Sequence, residues 1–244
     1  LLSFVPQNKI KLSYAASMGC NQISEAAKKK FKKNLVTFKA VSLREKENVK
    51  LLYKETGIHS SWCIDPTFLL KKEEWDEICN KPKIKSKYIF CYFLGANEKY
   101  RCLAQKYAEL YKYKIVTFPH LQNRLEKNDI NFGDIQVYDA SPSDFLTLIK
   151  HAAAVFTDSF HACVFSIIFG VPFYVFKRSE NDKMVNRINS LIQLVRCDEL
   201  FCDSSKKVNL DYITNVKIPN SFRTKELEKA IQDSKKFLET NLFK

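Results

Sequence analysis

The sequence predicts an α/β protein made of two Rossmann-like domains with parallel sheets, and three observations predict it. Apolar runs of strand length alternate with helix-period segments along the chain, as in KYIFCYF followed by the segment from Glu98 to Leu110. The apolar runs are near-continuous, the pattern of strands covered on both faces. The alternation pauses at NKPKIKSK (80–87), which is polar, contains a proline and has no period, and reads as a linker. Two such series imply two domains facing a cleft, with ligands held outside the carboxyl ends of the strands.

In order along the chain, KIKLSYAAS (9–17) reads as a strand leaving through a polar loop, and NQISEAAKKKFKK (21–33) as a helix. NLVTFKAVSL (34–43) reads as a strand, and REKENVKLLYKETG (44–57) as a helix stopped by Gly57. SSWCI gives a short strand running into DPTFLL, and KKEEWDEIC a further helix. After the linker come KYIFCYF, the helix from Glu98, the strand KYKIVTF and a looser stretch, PHLQNRLEKNDINFGDIQVY. SPSDFLTLIKHA (141–152) opens as a helix should, with Ser141 at the cap, Pro142 in the first turn and Asp144 three residues on. AAVFTD is a strand, FHACVFSIIFG a helix and VPFYVF a strand. DKMVNRINSLIQLV (182–195) is amphipathic, and a long helix over 224–243 ends the chain. The expected division is 1–80, 81–222 and a terminal helix, 223–244, packing back on the first domain.

Composition bounds the class. Hydrophobic residues make up 45% and charged residues 27%, as in ordinary globular proteins. Five glycines and seven prolines exclude low-complexity and fibrous chains. The opening LLSFVPQNKI lacks a basic segment and a small-residue cleavage site. The most apolar run, Ala162 to Phe176, falls short of the roughly 20 residues that span a bilayer. The eight cysteines form no C-x-x-C pair, and several lie in apolar runs, so they read as reduced and structural. The expectation is a soluble, cytoplasmic protein.

The net charge of +13 permits attraction to anionic small molecules, lipid or nucleic acid. Much of it lies in KKKFKK (28–33) and KPKIKSK (81–87), and no zinc-finger, RNP or basic-zipper pattern supports nucleic-acid binding.

The chemistry-bearing stretch is TDSFHA, where a strand hands over to a helix at a carboxyl end. The first turn of that helix offers free N–H groups and partial positive charge. Ser159 can cap the helix or donate to an anion, and His161 can bind an anion or shuttle a proton. Asp158 can cap the helix or orient the histidine. Other strand ends add polar groups: Gly95 and Asn97 in YFLGAN, with Arg101 one turn later; Ser42, Arg44 and Glu45 in VSLREK; Asp65 in CIDPTFLL. Each has a plainer explanation: Arg44 in an ion pair with Glu45 or Glu47, Gly95 and Asn97 in a simple turn. His59, His120 and His151 read as surface or structural.

SYAASMGCNQ, FKAVSLREKENVKLL, IDPTFLL, YIFCYFLGAN, the stretch from Tyr138 to Phe176, and NRINSLI occur in an order that resembles the polysaccharide pyruvyl transferase family. The resemblance runs from about Ser13 to Ile192. It implies a glycosyltransferase-B-like pair of Rossmann domains, and transfer of pyruvate from phosphoenolpyruvate onto sugar hydroxyls, giving a ketal on a polysaccharide or its precursor. A small anionic donor, a saccharide acceptor and a membrane-associated lipid-linked glycan are the implied partners. No cofactor or metal is implied. His161 is the implied catalytic residue. Ser159, Arg44, Arg187, Asp158, Asn97, Gly95 and Lys177 are the implied substrate-binding set.

Two departures stand out. Family members carry Arg-Leu-His where this chain has Ser159, Phe160 and His161, so Arg44, Arg187 or Lys177 must supply the missing cation. Arg187 could equally lie exposed on an amphipathic helix, and Lys177 and Arg178 could be surface charge after VPFYVF. Family members also begin with a further strand and an N-Y-G-A loop, which implies a partial first domain here. The alternatives are a glycosyltransferase using a nucleotide sugar and a non-catalytic remnant.

Overall fold

The computed structural model describes residues 2, 4–6, 8–119, 127–178, 185–202 and 208–242. Residues 120–126 of the looser stretch (His120 among them), residues 182–184 of the expected amphipathic helix, and residue 243 of the terminal one lie outside the described residues. The chain divides into two compact units. The first takes in residues through Leu70, a segment ending at Ser190 and the stretch from Thr224; the second takes in Lys71 to Asp182 and Leu191 to Arg223.

The first unit opens with β1 (Leu12–Ala16), α1 (Glu25–Leu35), β2 (Ala40–Leu43), α2 (Lys46–Thr56) and β3 (Ser61–Trp62). Helix α1 starts later than its apolar period suggested, because Ser24 caps it by accepting from the Ala27 amide at 3.3 Å. It also runs on to Leu35, which shortens β2 at its start. Helix α2 stops where Gly57 takes φ 76°, a left-handed conformation that side chains rarely adopt. The sheet order is β1-β2-β3, all parallel. Ile23, Leu35, Val41, Leu43 and Leu52 form its core, with Phe31, Phe38, Val49 and Ile58 packed against them.

The second unit supplies α3 (Lys72–Glu77), β4 (Tyr88–Tyr92), α4 (Glu98–Tyr111), β5 (Lys114–Thr117), β6 (Ile135–Gln136), α5 (Pro142–Lys150), β7 (Ala154–Thr157), α6 (Phe160–Phe169) and β8 (Phe173–Phe176). Helix α7 (Val185–Leu194) is shared in sequence between the units. Strand β9 (Phe201–Cys202) and α8 (Leu210–Asn215) complete the second unit, and α9 (Lys225–Leu242) belongs to the first. There, Ser234 on α9 accepts the Ile64 amide at 3.0 Å.

All six strands of the second sheet are parallel, in the order β6-β5-β4-β7-β8-β9. Counted from β4, this is the doubly wound order 3-2-1-4-5-6, whose direction reverses between β4 and β7. Ile89, Phe90, Val155, Phe156, Phe173 and Val175 are fully buried, as strands covered on both faces must be. No helix among the described residues is long and apolar enough to cross a membrane.

Candidate active site

The carboxyl ends of β4 and β7 meet at the reversal of strand order. Thr157, the last residue of β7, donates its hydroxyl to the Tyr92 carbonyl at 2.6 Å and accepts the Ser159 amide at 3.0 Å. The chain is thereby turned sharply into α6. Asp158 does not cap that helix. Its Oδ1 accepts the Leu94 amide at 2.7 Å and its Oδ2 the Gly95 amide at 2.8 Å, so it ties the loop after β4 to the end of β7. Burial pushes the Asp158 carboxyl above the ordinary carboxylate range, opposed by these amides and by Arg178.

Ser159 is the N-cap of α6 by position, but its hydroxyl makes no capping bond. His161, in the first turn, is exposed, with its ring edge-on to Phe160 at 5.4 Å between centroids. The rest of α6 is buried from Ala162 to Phe169, so the helix is anchored by its body and presents only its start.

The loop after β4 is braced from below. Arg101 is 3% exposed and pairs with Asp129, which is equally buried. It donates to the Gly95 carbonyl at 3.0 Å and the Asn97 carbonyl at 3.3 Å, and its guanidinium lies over the rings of Phe93 and Phe132. Asn97 caps α4 by accepting the Lys99 amide at 3.0 Å. From the end of β8, Arg178 reaches Asp158: Nε lies 3.6 Å from Oδ2, and Nη2 donates to the Asp158 carbonyl at 3.4 Å. Lys177, its neighbour, is partly buried, and its amide bonds the Cys202 carbonyl at 3.4 Å.

Of the residues singled out in the sequence, Gly95, Asp158, Ser159 and His161 thus stand at the ends of β4 and β7, with Lys177 at the end of β8. Arg44 and Arg187 belong to the first unit. The partner of Arg44 is Asp65, at 3.1 Å and 1% exposed, rather than Glu45 or Glu47. Glu45 turns inward and accepts from Ser17 Oγ at 2.5 Å, the Met18 amide at 3.3 Å and Asn48 Nδ2 at 3.2 Å. Arg187 donates to Ser17 Oγ at 3.4 Å. Just before Ser17, Ala15 takes φ 44° at a register shift in β1, and its amide is held by Ser42 Oγ at 2.8 Å. Backbone strain of this kind at a strand end accompanies sites more often than chance packing does.

Arg178 and the Glu45 cluster are what sequence reasoning undervalued. The signal for Arg178 was its position directly after an apolar strand, at a carboxyl end. A cavity of about 210 Å3, lined among others by Ile84, Tyr88, Ile135, Val137, Thr147 and Leu148, shares no residue with this site. Among the described residues no group of three His, Cys, Asp or Glu side chains is placed to hold a metal ion.

No curated protein matches the chain. Among solved structures, a UDP-N-acetylglucosamine 2-epimerase from Listeria monocytogenes is similar at a TM-score of 0.52 and 12% identity, over 97% of this chain and 69% of that one. The UDP-GlcNAc 2-epimerase from Neisseria meningitidis, solved with UDP-GlcNAc, gives 0.48 and 15%, over 90% of this chain and 65% of that one. The glycosyltransferase SnogD from Streptomyces nogalater gives 0.36 and 10%, over 83% and 64%. At 12% identity the likeness to the Listeria structure is one of fold alone, and it agrees with parallel-sheet α/β units. The model of one family, polysaccharide pyruvyl transferase, matches residues 1–180, well over half of the 244. The chain therefore belongs to the polysaccharide pyruvyl transferase family, a family of transferase-class enzymes.

Proposed function

We propose that the chain transfers pyruvate from phosphoenolpyruvate to two hydroxyls of a saccharide, closing a pyruvate ketal, without cofactor or metal. The observation that carries this reading is the exposed imidazole of His161 in the first turn of an otherwise buried helix, at the strand-order reversal of the second sheet. Helix N-termini favour anions, and a histidine there is suited to proton transfer at neutral pH.

In the proposed sequence His161 protonates the methylene carbon of the enol ester, giving an oxocarbenium centre stabilised by the ester oxygen. The first sugar hydroxyl adds to that carbon and its proton returns to the imidazole. Phosphate then leaves with its bonding electron pair, and the second hydroxyl closes the ketal. The second hydroxyl proton leaves with phosphate. General acid–base help of this kind contributes about 10²- to 10⁴-fold. The proposed acceptor is a polysaccharide, the saccharide that the family description names, or a lipid-linked precursor of it. Ser159, Asn97, Gly95 and Lys177 are the proposed donor-side contacts in the second unit; Arg44 and Arg187 are proposed substrate contacts of the first unit, taken by itself.

Calorimetric titration with phosphoenolpyruvate and with a panel of nucleotide sugars tests the reading. Binding of phosphoenolpyruvate, with phosphate released and a new ketal methyl signal once acceptor glycan is added, is expected. Binding of a nucleotide sugar with no response to phosphoenolpyruvate contradicts it and favours glycosyl transfer.

A further inference from the structure

Two arginines approach the loop after β4, and they differ in what they have left to give. Arg101 is 3% exposed, and its guanidinium is engaged by Asp129 and by the carbonyls of Gly95 and Asn97. Arg178 has a side chain 31% exposed, beside an Asp158 side chain that is 4% exposed. Both carboxylate oxygens of Asp158 are already taken by the Leu94 and Gly95 amides. Arg178 Nε is buried yet makes no hydrogen bond; at 3.6 Å from Oδ2 it feels the charge without using it as an acceptor. Its one hydrogen bond among the described residues is the 3.4 Å contact from Nη2 to the Asp158 carbonyl.

Glycine at position 95 makes this placement possible. A Cβ there would sit 2.6 Å from Arg178 Cγ and 3.0 Å from Asp158 Oδ2, so any side chain would push the arginine off the loop. A cation is thus held over a bare stretch of backbone by a carboxylate that does not consume its donors. A planar guanidinium with spare N–H groups is the group best matched to a carboxylate or a phosphate.

We propose that Arg178 is the residue that grips the anionic donor in this chain, with Asp158 and Gly95 as its positioning residues. The identity of that anion rests on the pyruvyl-transfer reading; the role of Arg178 does not. The arginine makes the principal charged contact, and Lys177 contributes less. The sugar acceptor takes no part in it.

The test is calorimetric titration of phosphoenolpyruvate, UDP-N-acetylglucosamine and inorganic pyrophosphate into the wild type and into Arg178→Gln, Arg178→Lys, Gly95→Ala, Lys177→Gln and Lys106→Gln. Arg178→Gln is expected to weaken phosphoenolpyruvate binding roughly 10- to 100-fold, the loss of charge-assisted hydrogen bonds, with an unchanged unfolding midpoint. Arg178→Lys recovers part of the loss, and Gly95→Ala reproduces most of it. Lys177→Gln costs less than Arg178→Gln. Lys106→Gln, which removes an exposed charge from α4, leaves the affinity as it was. In turnover, Arg178→Gln raises KM for phosphoenolpyruvate more than it lowers kcat. Unchanged phosphoenolpyruvate affinity in Arg178→Gln, or a larger loss in Lys177→Gln, overturns the inference and leaves the pyruvyl-transfer reading standing. A wild type that ignores phosphoenolpyruvate but binds the nucleotide sugar or pyrophosphate through Arg178 does the reverse. A wild type that binds none of the three overturns both.

Discussion

Each unit uses a buried carboxylate to tie down the loop that follows a neighbouring strand, and the two carboxylates are satisfied in different ways. Glu45 in the first unit is 2% exposed and accepts from a hydroxyl, an amide N–H and a carboxamide. Asp158 in the second is 3% exposed and accepts from two backbone amides, with Arg178 alongside. Ser17 stands between Glu45 and Arg187, donating to the first and accepting from the second. Asp158 faces its arginine directly. The same device braces a loop in both places, but at Asp158 the arginine with a buried Nε that makes no hydrogen bond stands next to a helix start that carries an imidazole.

The comparison breaks most sharply at His161, which has no counterpart among Ser17, Met18, Glu45, Asn48 and Arg187. His161→Ala is expected to lower phosphoenolpyruvate-dependent phosphate release with acceptor present by about 10²- to 10⁴-fold. Because the ring is exposed, the unfolding midpoint stays that of the wild type. Equal activity in the variant would remove the imidazole from the mechanism.

Amide isosteres sharpen the contrast. In Asp158→Asn the new NH2 must face a backbone N–H, and neither group can turn round to accept. The expected cost is about 2–3 kcal/mol. In Glu45→Gln the Ser17 hydroxyl can rotate and accept from the new NH2, so the expected cost is about 1 kcal/mol. Urea unfolding of the two variants measures both, and a costlier Glu45→Gln would show that the two carboxylates had been ranked wrongly.

Smaller effects come from pH. Burial raises the Asp158 pKa in the folded state. Its linked stability is therefore fully present below the unfolded value near 4 and is lost as pH rises through the raised folded value. The stability gap between wild type and Asp158→Asn is expected to narrow as pH climbs above about 4 and through the raised folded value. Asp144, at the start of α5, has the opposite sign. Hydrogen bonds from Ser141 hold its pKa at about 2. Its contribution is present above about 4 and lost as pH falls toward 2, so the gap between wild type and Asp144→Asn closes over that window. Thermal unfolding across pH checks both signs.

Much of this architecture was legible in the residues. The apolar runs KYIFCYF and VPFYVF, the glycine stop at 57, and the Ser141 cap are local signals, and each became the element it suggested. The strand-to-helix handover at TDSFHA was legible for the same reason. Strands β6 and β9 were not, because two residues carry no period. They pair only because β5 and β8 offer open edges. The partners of Asp158, Arg44 and Glu45 were also hidden. Asp158 meets Leu94 across 64 residues, and Glu45 meets Ser17 across 28; only the fold brings them together. Arg178 read as surface charge because nothing local shows that the chain opposite it is a glycine.

The most direct measurement is the ring resonance of His161 during titration with phosphoenolpyruvate at fixed pH, identified among the four histidines by a His161→Asn variant. The expected result is a saturable shift of that resonance in the wild type, absent at the same concentrations in Arg178→Gln. A His161 signal that stays in place at saturating phosphoenolpyruvate, or a shift confined to other histidines, would contradict the account.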